Sequence, residues 1–398
     1  MLRMDRRTIS LLSLAHVADD INQSFLPALL PLLVAQRHLS FAAAASLVLA
    51  QGLSSSVVQP AIGYLADTRA MPWLVGVGLL LAGGGIAAIG FVDSYALIFI
   101  AALISGLGVA MFHPEAARFS NLAAGEKKAS GMRWFALGGN IGFATGPIFA
   151  TAALALYGIA GTGLAAIPVA VMAVLLLLET KRLRTLLPNA KRAVDAKPLF
   201  DDWSSFARLT SFIVIRSMAY IGLVAFVPLY FVHVLHASAV VGNLALTAYL
   251  VAGIAGTLVG GPLADRFGRR IVISISTACA LAFVLVLSFA VQAGAGIAAG
   301  FVCVALAGAV ITGSQAAQIV LGQEYLPNRI GMASGVTLGL AVSLGTMASP
   351  ALGALGDRYG LPATMLAIAG LAAVALVLSF TLPHPDDRRA HLAARAVA

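Results

Sequence analysis

Histidine, aspartate, glutamate and arginine occur in this sequence inside stretches otherwise apolar enough for a lipid bilayer, and such groups mark ion and substrate pathways. His16, Asp20 and Gln23 fall at i, i+4 and i+7 and so share one helical face, with Asp19 and Asn22 on the adjacent one. Asp20 lies about ten residues into its segment, roughly 15 Å along a helix. An unpaired carboxylate at that depth costs roughly 2.5–3.5 kcal/mol to insert. Desolvation favours its protonated form, which suits a proton carrier. The alternative is an ionised Asp20 held by a helix N-terminus or by Arg216. Phe112-His113-Pro114-Glu115 follows in the fourth apolar stretch, with Arg118 one turn on. Pro114 frees the carbonyl of Ala110. His113 and Glu115 are expected to relay protons with Asp20, or Glu115 simply pairs with Arg118 at i, i+3. His113 and Glu115 alone make a poor metal site, so no metal ligand is assigned.

Arg216 is the one basic residue inside the apolar core of the second half, where no acidic residue reaches comparable depth. Its counter-charge must come from Asp20 or from an anionic substrate, which a guanidinium fork grips with two hydrogen bonds. His16, Gln23, Asn140, Tyr220, Tyr249, Gln315 and Gln318, with Tyr230, are polar groups that could complete a substrate cavity, although each alone is more often a helix–helix hydrogen bond.

The elements that carry these groups are membrane helices. The chain is 398 residues long, 60% hydrophobic and only 10% charged, with a mean hydropathy of +0.95. Twelve apolar stretches recur at about 10–36, 40–66, 72–92, 94–122, 128–157, 162–180, 206–236, 238–264, 270–291, 294–325, 330–357 and 360–381, most of them long enough to cross a ~30 Å hydrocarbon core. Counting the intervals alternately places every Lys and Arg except Arg37, Arg216 and Arg358 on one side. By the positive-inside rule both termini are cytoplasmic, in a bacterial inner membrane. The net charge of +9 thus follows from topology and argues against a nucleic-acid partner. The first stretch is too long for a cleavable signal and is expected to act as an uncleaved anchor. Cys279 and Cys303 lie in apolar segments as reduced packing residues. No Walker loop, H-E-x-x-H or G-x-S-x-G is present, so no enzyme, no cofactor and no ATP-driven step is expected, and a proton gradient is the expected energy source.

The polar stretch 181–205 divides the chain into six helices (1–180), a cytoplasmic linker (181–205), six helices (206–382) and a cytoplasmic tail (383–398). The halves repeat. Gly63-Tyr-Leu-Ala-Asp67 matches Gly261-Pro-Leu-Ala-Asp265, Gly142-x-x-x-Gly146-Pro147 matches Gly345-x-x-x-Ser349-Pro350, and Ser130-Gly131 matches Ser334-Gly335. Parallel six-helix repeats are the organisation of the major facilitator superfamily. The loop motifs, the second continuing Arg266-Phe-Gly-Arg269-Arg270, resemble that superfamily's signature. Met71-Pro-Trp73, Phe112-His-Pro-Glu115, Gly138-Gly-Asn140 and Glu324-Tyr-Leu-Pro-Asn-Arg-Ile-Gly-Met332 resemble its fosmidomycin-resistance branch of drug exporters. One departure is that Asp67 is followed by Thr-Arg-Ala-Met, without the usual Gly-Arg-Arg.

The resemblance implies an all-α fold of two six-helix bundles, with the first, fourth, seventh and tenth helices lining a cavity. It implies a monomeric secondary transporter working by alternating access, a small molecule and the bilayer as its partners. Gating would fall to Asp67, Asp265, Arg266 and Arg269, each carboxylate latching onto a neighbouring helix start. Gly142, Gly146 and Pro147 would give the close packing and bend associated with exporters. A proton antiporter exporting drug-like or anionic compounds is the reading adopted; a proton symporter importing an organic anion or other metabolite is the alternative, and a non-transporting scaffold is a third.

Overall fold

The computed structural model of the chain describes residues 4–68, 71–125, 128–186, 201–292, 296–329, 332–333, 336–340 and 344–383. Among the described residues the structure is helical, without strands. In the first half α1 (Arg6–Arg37), α2 (Phe41–Thr68), α3 (Trp73–Ile89), α4 (Tyr95–Ala123) and α5 (Lys128–Tyr157) lead through a 3₁₀ turn, Gly158–Ala165, to α6 (Ala166–Leu178) and the short α7 (Thr180–Thr185). In the second half come α8 (Trp203–His233), α9 (Ala239–Phe267), α10 (Arg269–Gln292), α11 (Gly296–Gly313) and α12 (Gln315–Tyr325). α13 (Ser349–Tyr359) and α14 (Leu361–Phe380) complete it. Eight described helical stretches are long and apolar enough to cross a membrane.

Two of the predicted spans are interrupted. The span expected at 294–325 breaks at Ser314 into α11 and α12, and the one expected at 330–357 contains a π turn at Val336–Leu340 and a 3₁₀ turn at Gly345–Ala348 before α13. Pro350 accounts for the second 3₁₀ turn: it has no N–H to continue a helix from the preceding turn, but fits the first turn of a new one.

The chain divides into two compact units, one of residues 1–191 with 238–247 and the other of 192–237 with 248–398. The division falls inside the expected linker, most of which lies outside the described residues. In the first unit α1 lies along the glycine face of α5. A Cβ on Gly138 would strike the carbonyl of Ser13, one on Gly142 that of Val17, and one on Gly146 the hydroxyl of Ser24. In the second unit a Cβ on Gly345 would come within 2.6 Å of the Ser217 backbone of α8. The sequence repeat is thus also a repeat of packing, because lipid gives helices no hydrophobic reason to associate and close approach must supply the attraction.

The helix starts repeat as well. Asp5 caps α1 by accepting from Thr8 N at 3.2 Å and Thr8 Oγ1 at 2.7 Å. Asp202 caps α8 through Ser205 N at 3.1 Å and Ser205 Oγ at 2.5 Å. The N–H of each Asp then donates to the end of a helix in its own unit, Asp5 to Ala123 O at 2.8 Å and Asp202 to Tyr325 O at 2.7 Å. Arg182 of α7 adds a forked contact to Asp5 at 2.9 Å. Partial burial works to raise the Asp5 carboxyl, but the bonds from Thr8 and Arg182 outweigh it and hold it below the usual carboxylate range. A depressed carboxyl stabilises the fold above the unfolded-state value and loses that contribution as pH falls through the folded-state value.

Asp5→Ala should therefore cost about 1–2 kcal/mol at neutral pH, read as a lower Tm of the purified protein, and the difference from wild type should vanish in strong acid. Gly142→Ala should lower Tm, whereas Gly84→Ala, where a Cβ meets nothing within 4 Å, should leave it unchanged or raise it, since Gly costs a helix interior about 1 kcal/mol. Equal effects at the two glycines would show that the α1–α5 groove is loosely packed.

Candidate functional site

The buried polar centre of the first unit is built from α1, α4 and α5. Gly139 of α5 is its foundation: a Cβ there would lie 2.5 Å from His16 Cε1 and 2.7 Å from Asp20 Oδ2. A helix carbonyl points toward the residue four positions on, so a glycine at 139 leaves the Phe135 carbonyl uncovered. His16 Nδ1 faces that oxygen at 2.9 Å, and its ring stacks on Phe135 with centroids 4.2 Å apart. The Nδ1 of His113 faces its own helix at Val109 O, 3.1 Å away.

Both imidazoles therefore present Nε2 to the interior. The two Nε2 atoms are 3.1 Å apart. Asp20 closes the group, with Oδ2 3.3 Å from His16 Nε2 and Oδ1 3.5 Å from His113 Nε2. Gln23 donates to Asp20 Oδ1. Asp19, fully buried, has one oxygen 3.4 Å from His113 Nδ1 and no hydrogen bond within normal geometry. Carbonyl oxygens only accept, so each Nδ1 carries its hydrogen and, in neutral rings, each Nε2 carries a lone pair. Two lone pairs and a carboxylate in mutual contact repel one another unless a cation joins them. With both rings neutral, the arrangement can accept one positive charge.

The expected relay was drawn with Glu115 beside His113, and the structure separates them. Residues two apart point to opposite sides of a helix, so when His113 faces α1 its neighbour faces away. Glu115 is fully buried, accepts from Met71 N at 3.2 Å and lies 3.4 Å from Arg118 Nη1. It anchors the start of α3 near the α2–α3 connection. Conversely, His16 and Gln23, expected to bind substrate, are brought to Asp20. The i, i+4 and i+7 spacing carried that signal; the approach of α4 did not show in the sequence. Asn140 is exposed.

In the second unit Arg216 is 7% exposed. Its Nη1 donates to Ile311 O at 3.2 Å, while Nε has no hydrogen bond. That carbonyl is available because α11 ends at Gly313; Ser314 Oγ donates to it as well, at 3.2 Å, and Gln318 Nε2 to Ser314 Oγ at 2.9 Å. Among the described residues Arg216 forms no salt bridge. A void with room for about one water lies beside it, bordered by Thr277, Ser314 and alanines. Tyr220 and Tyr249 meet ring to ring at 5.8 Å, with the Tyr249 hydroxyl buried and unbonded. Tyr230 donates to Leu287 O at 3.2 Å, a helix–helix bond. Gln315 is half-buried.

Of the expected gating groups, the Asp67 side chain lies outside the described residues, and Asp265 is exposed. Arg266 lies over Phe267 at 5.2 Å, and Arg269 pairs with Glu324 at 2.5 Å. Gly142 and Gly146 pack on α1, and Pro147 lies within α5. Glu115→Ala should destabilise the protein by about 1–3 kcal/mol through the orphaned Met71 N–H and the lost Arg118 contact, with Glu115→Gln milder because it keeps an acceptor. A Tm unchanged in both variants would show that the α3 anchor carries no weight.

The profile of the Major Facilitator Superfamily matches residues 12–350, with a second match at 209–397. The chain is 32% identical over 390 residues to the uncharacterized MFS-type transporter YfnC of Bacillus subtilis (strain 168), covering 95% of this chain and 93% of that one. It is 29% identical over 383 residues to the Fosmidomycin resistance protein of Escherichia coli (strain K12), covering 95% and 92%. A crystal structure of a bacterial homologue of the human lysosomal transporter Spinster superposes with a TM-score of 0.77 at 13% identity, over 95% of this chain and 97% of that one, a likeness of fold. The chain is therefore a multi-pass membrane transporter of the Major Facilitator Superfamily, and not an enzyme.

Proposed function

We propose that the protein is a proton-coupled exporter of small drug-like or anionic compounds, an antiporter working by alternating access as a monomer in a bacterial inner membrane, with both termini cytoplasmic. The observation that carries this reading is Asp20, buried against two imidazoles whose Nε2 lone pairs converge beside its carboxylate. A proton taken up there is shared by the two Nε2 atoms and balanced by Asp20, so one charge is loaded at membrane depth with little rearrangement. Asp19, near His113 Nδ1, is a second acceptor on the far side of that ring. Glu115, tied to Met71 and Arg118, holds the fold at the α3 start and takes no part in this transfer.

Arg216 is the group proposed to meet substrate. With Nε unbonded and Nη1 engaged only by a carbonyl, its charge is not neutralised among the described residues. A phosphonate or carboxylate head would satisfy the guanidinium with paired hydrogen bonds. The similarity to a protein named for fosmidomycin resistance supports an anionic antibiotic as the first compound to try.

The test is export in proteoliposomes together with drug sensitivity of a strain with and without the gene. Asp20→Asn and His113→Asn should abolish export driven by a pH gradient while leaving counterflow of labelled substrate, and Glu115→Gln should export normally. Wild-type export by Asp20→Asn would sink the coupling assignment. Arg216→Lys should weaken binding of anionic compounds about tenfold or more, with neutral compounds less affected, since an ammonium cannot reproduce the fork. Equal losses for both classes would make Arg216 structural.

A further inference from the structure

The His16–His113–Asp20 cluster has the dimensions of a metal site. A tetrahedral ion with ligand bonds of ~2.0–2.1 Å separates its ligand atoms by about 3.3–3.4 Å. The separations here are 3.1 Å between the two Nε2 atoms, 3.3 Å from His16 Nε2 to Asp20 Oδ2 and 3.5 Å from His113 Nε2 to Asp20 Oδ1. The two edges to Asp20 run to different oxygens, so the carboxylate would bind through both or turn to present one, and a further position is left for water or another ligand.

The surroundings fit as well as the edges. Metal-bound histidines almost always donate their other ring N–H to a carbonyl or carboxylate, which fixes the tautomer. His16 does so to Phe135 O, and His113 to Val109 O with Asp19 nearby. Gln23 braces the carboxylate ligand. The His113 side chain is 23% exposed, which provides an access path. Two imidazoles and one carboxylate suit borderline first-row divalent ions rather than calcium or magnesium, which take oxygen ligands.

We propose that His16, His113 and Asp20 bind one divalent transition-metal ion of the Zn²⁺ class, joining α1 to α4. This does not rest on the direction of transport or on the identity of the substrate. Such an ion would occupy the lone pairs on which the transport reading depends, so its bound form should not transport.

The test uses the full-length protein, purified, freed of any affinity tag and stripped with a chelator. Zn²⁺ titrated calorimetrically should bind at one ion per chain. His16→Ala, His113→Ala and Asp20→Asn should each weaken it at least tenfold, and the exposed His38→Ala should leave it unchanged. X-ray absorption of the Zn²⁺-loaded wild type should show two imidazole ligands, a readout independent of whether any variant folds. No stoichiometric Zn²⁺ uptake, uptake unchanged in the His16 and His113 variants, or a spectrum without imidazole would overturn the site and leave a shared proton as the only cation joining the rings. Stoichiometric Zn²⁺ binding by a protein that shows no pH-driven export when metal-free would retain this site and defeat the proton-coupling reading, and export by the metal-free protein with no Zn²⁺ binding would do the reverse.

Discussion

The close approach of α1 to the glycine face of α5 is the constraint on which the polar centre depends. In a bilayer two helices gain nothing by hiding apolar surface from each other, so they associate where small residues let backbones touch. Gly138, Gly142 and Gly146 provide that contact from Ser13 to Ser24 of α1. Gly139, in the same run, opens the space into which His16 and Asp20 project and uncovers the carbonyl that orients His16. The same residues that pack the helices therefore position the chemistry. A side chain at 139 would not merely crowd the site; it would occupy the volume where the imidazole and carboxylate meet.

The two halves share this architecture and differ in what it holds. Gly345 packs on α8 much as Gly142 packs on α1, and Asp202 caps α8 much as Asp5 caps α1. In the first unit the resulting interior carries carboxylates and imidazoles. In the second, α12 places Ala317 and Ile319 at the repeat positions of His113 and Glu115, and α8 buries Arg216. The break between α11 and α12 compensates: by ending one helix at Gly313 it leaves the Ile311 carbonyl free to accept from the guanidinium. A buried cation left with a carbonyl, rather than an anion, is held without being neutralised.

Two of the carboxylates serve structure more than chemistry. These are Glu115 and Glu324, the first bound to Met71 N, the second to Arg269. Each ties its helix to the start of another, α4 to the start of α3 and α12 to the start of α10. Asp265, near the end of α9, is exposed. A latch that is made in one state and broken in another has to be open in one of them, and helix-end carboxylates suit that role because the helix dipole rewards them modestly.

The sequence by itself determined the membrane-helical class and the repeat of two halves, because a bilayer penalises polar residues strongly enough to write its thickness into composition. It also set His16, Asp20 and Gln23 on one face, since helical spacing is local. What it could not show was which helix would face them. The pairing of His113 with Glu115 looked natural along the chain, yet neighbours two apart diverge, and only the seating of α1 between α4 and α5 turned His113 toward Asp20 and Glu115 toward Met71. The breaks at Ser314 and before Pro350 were hidden for the same reason: hydropathy averages over a span and does not register a carbonyl freed by a missing turn. Spacing fixes faces; tertiary packing alone decides which faces meet, because close contact depends on the volume at single positions such as Gly139.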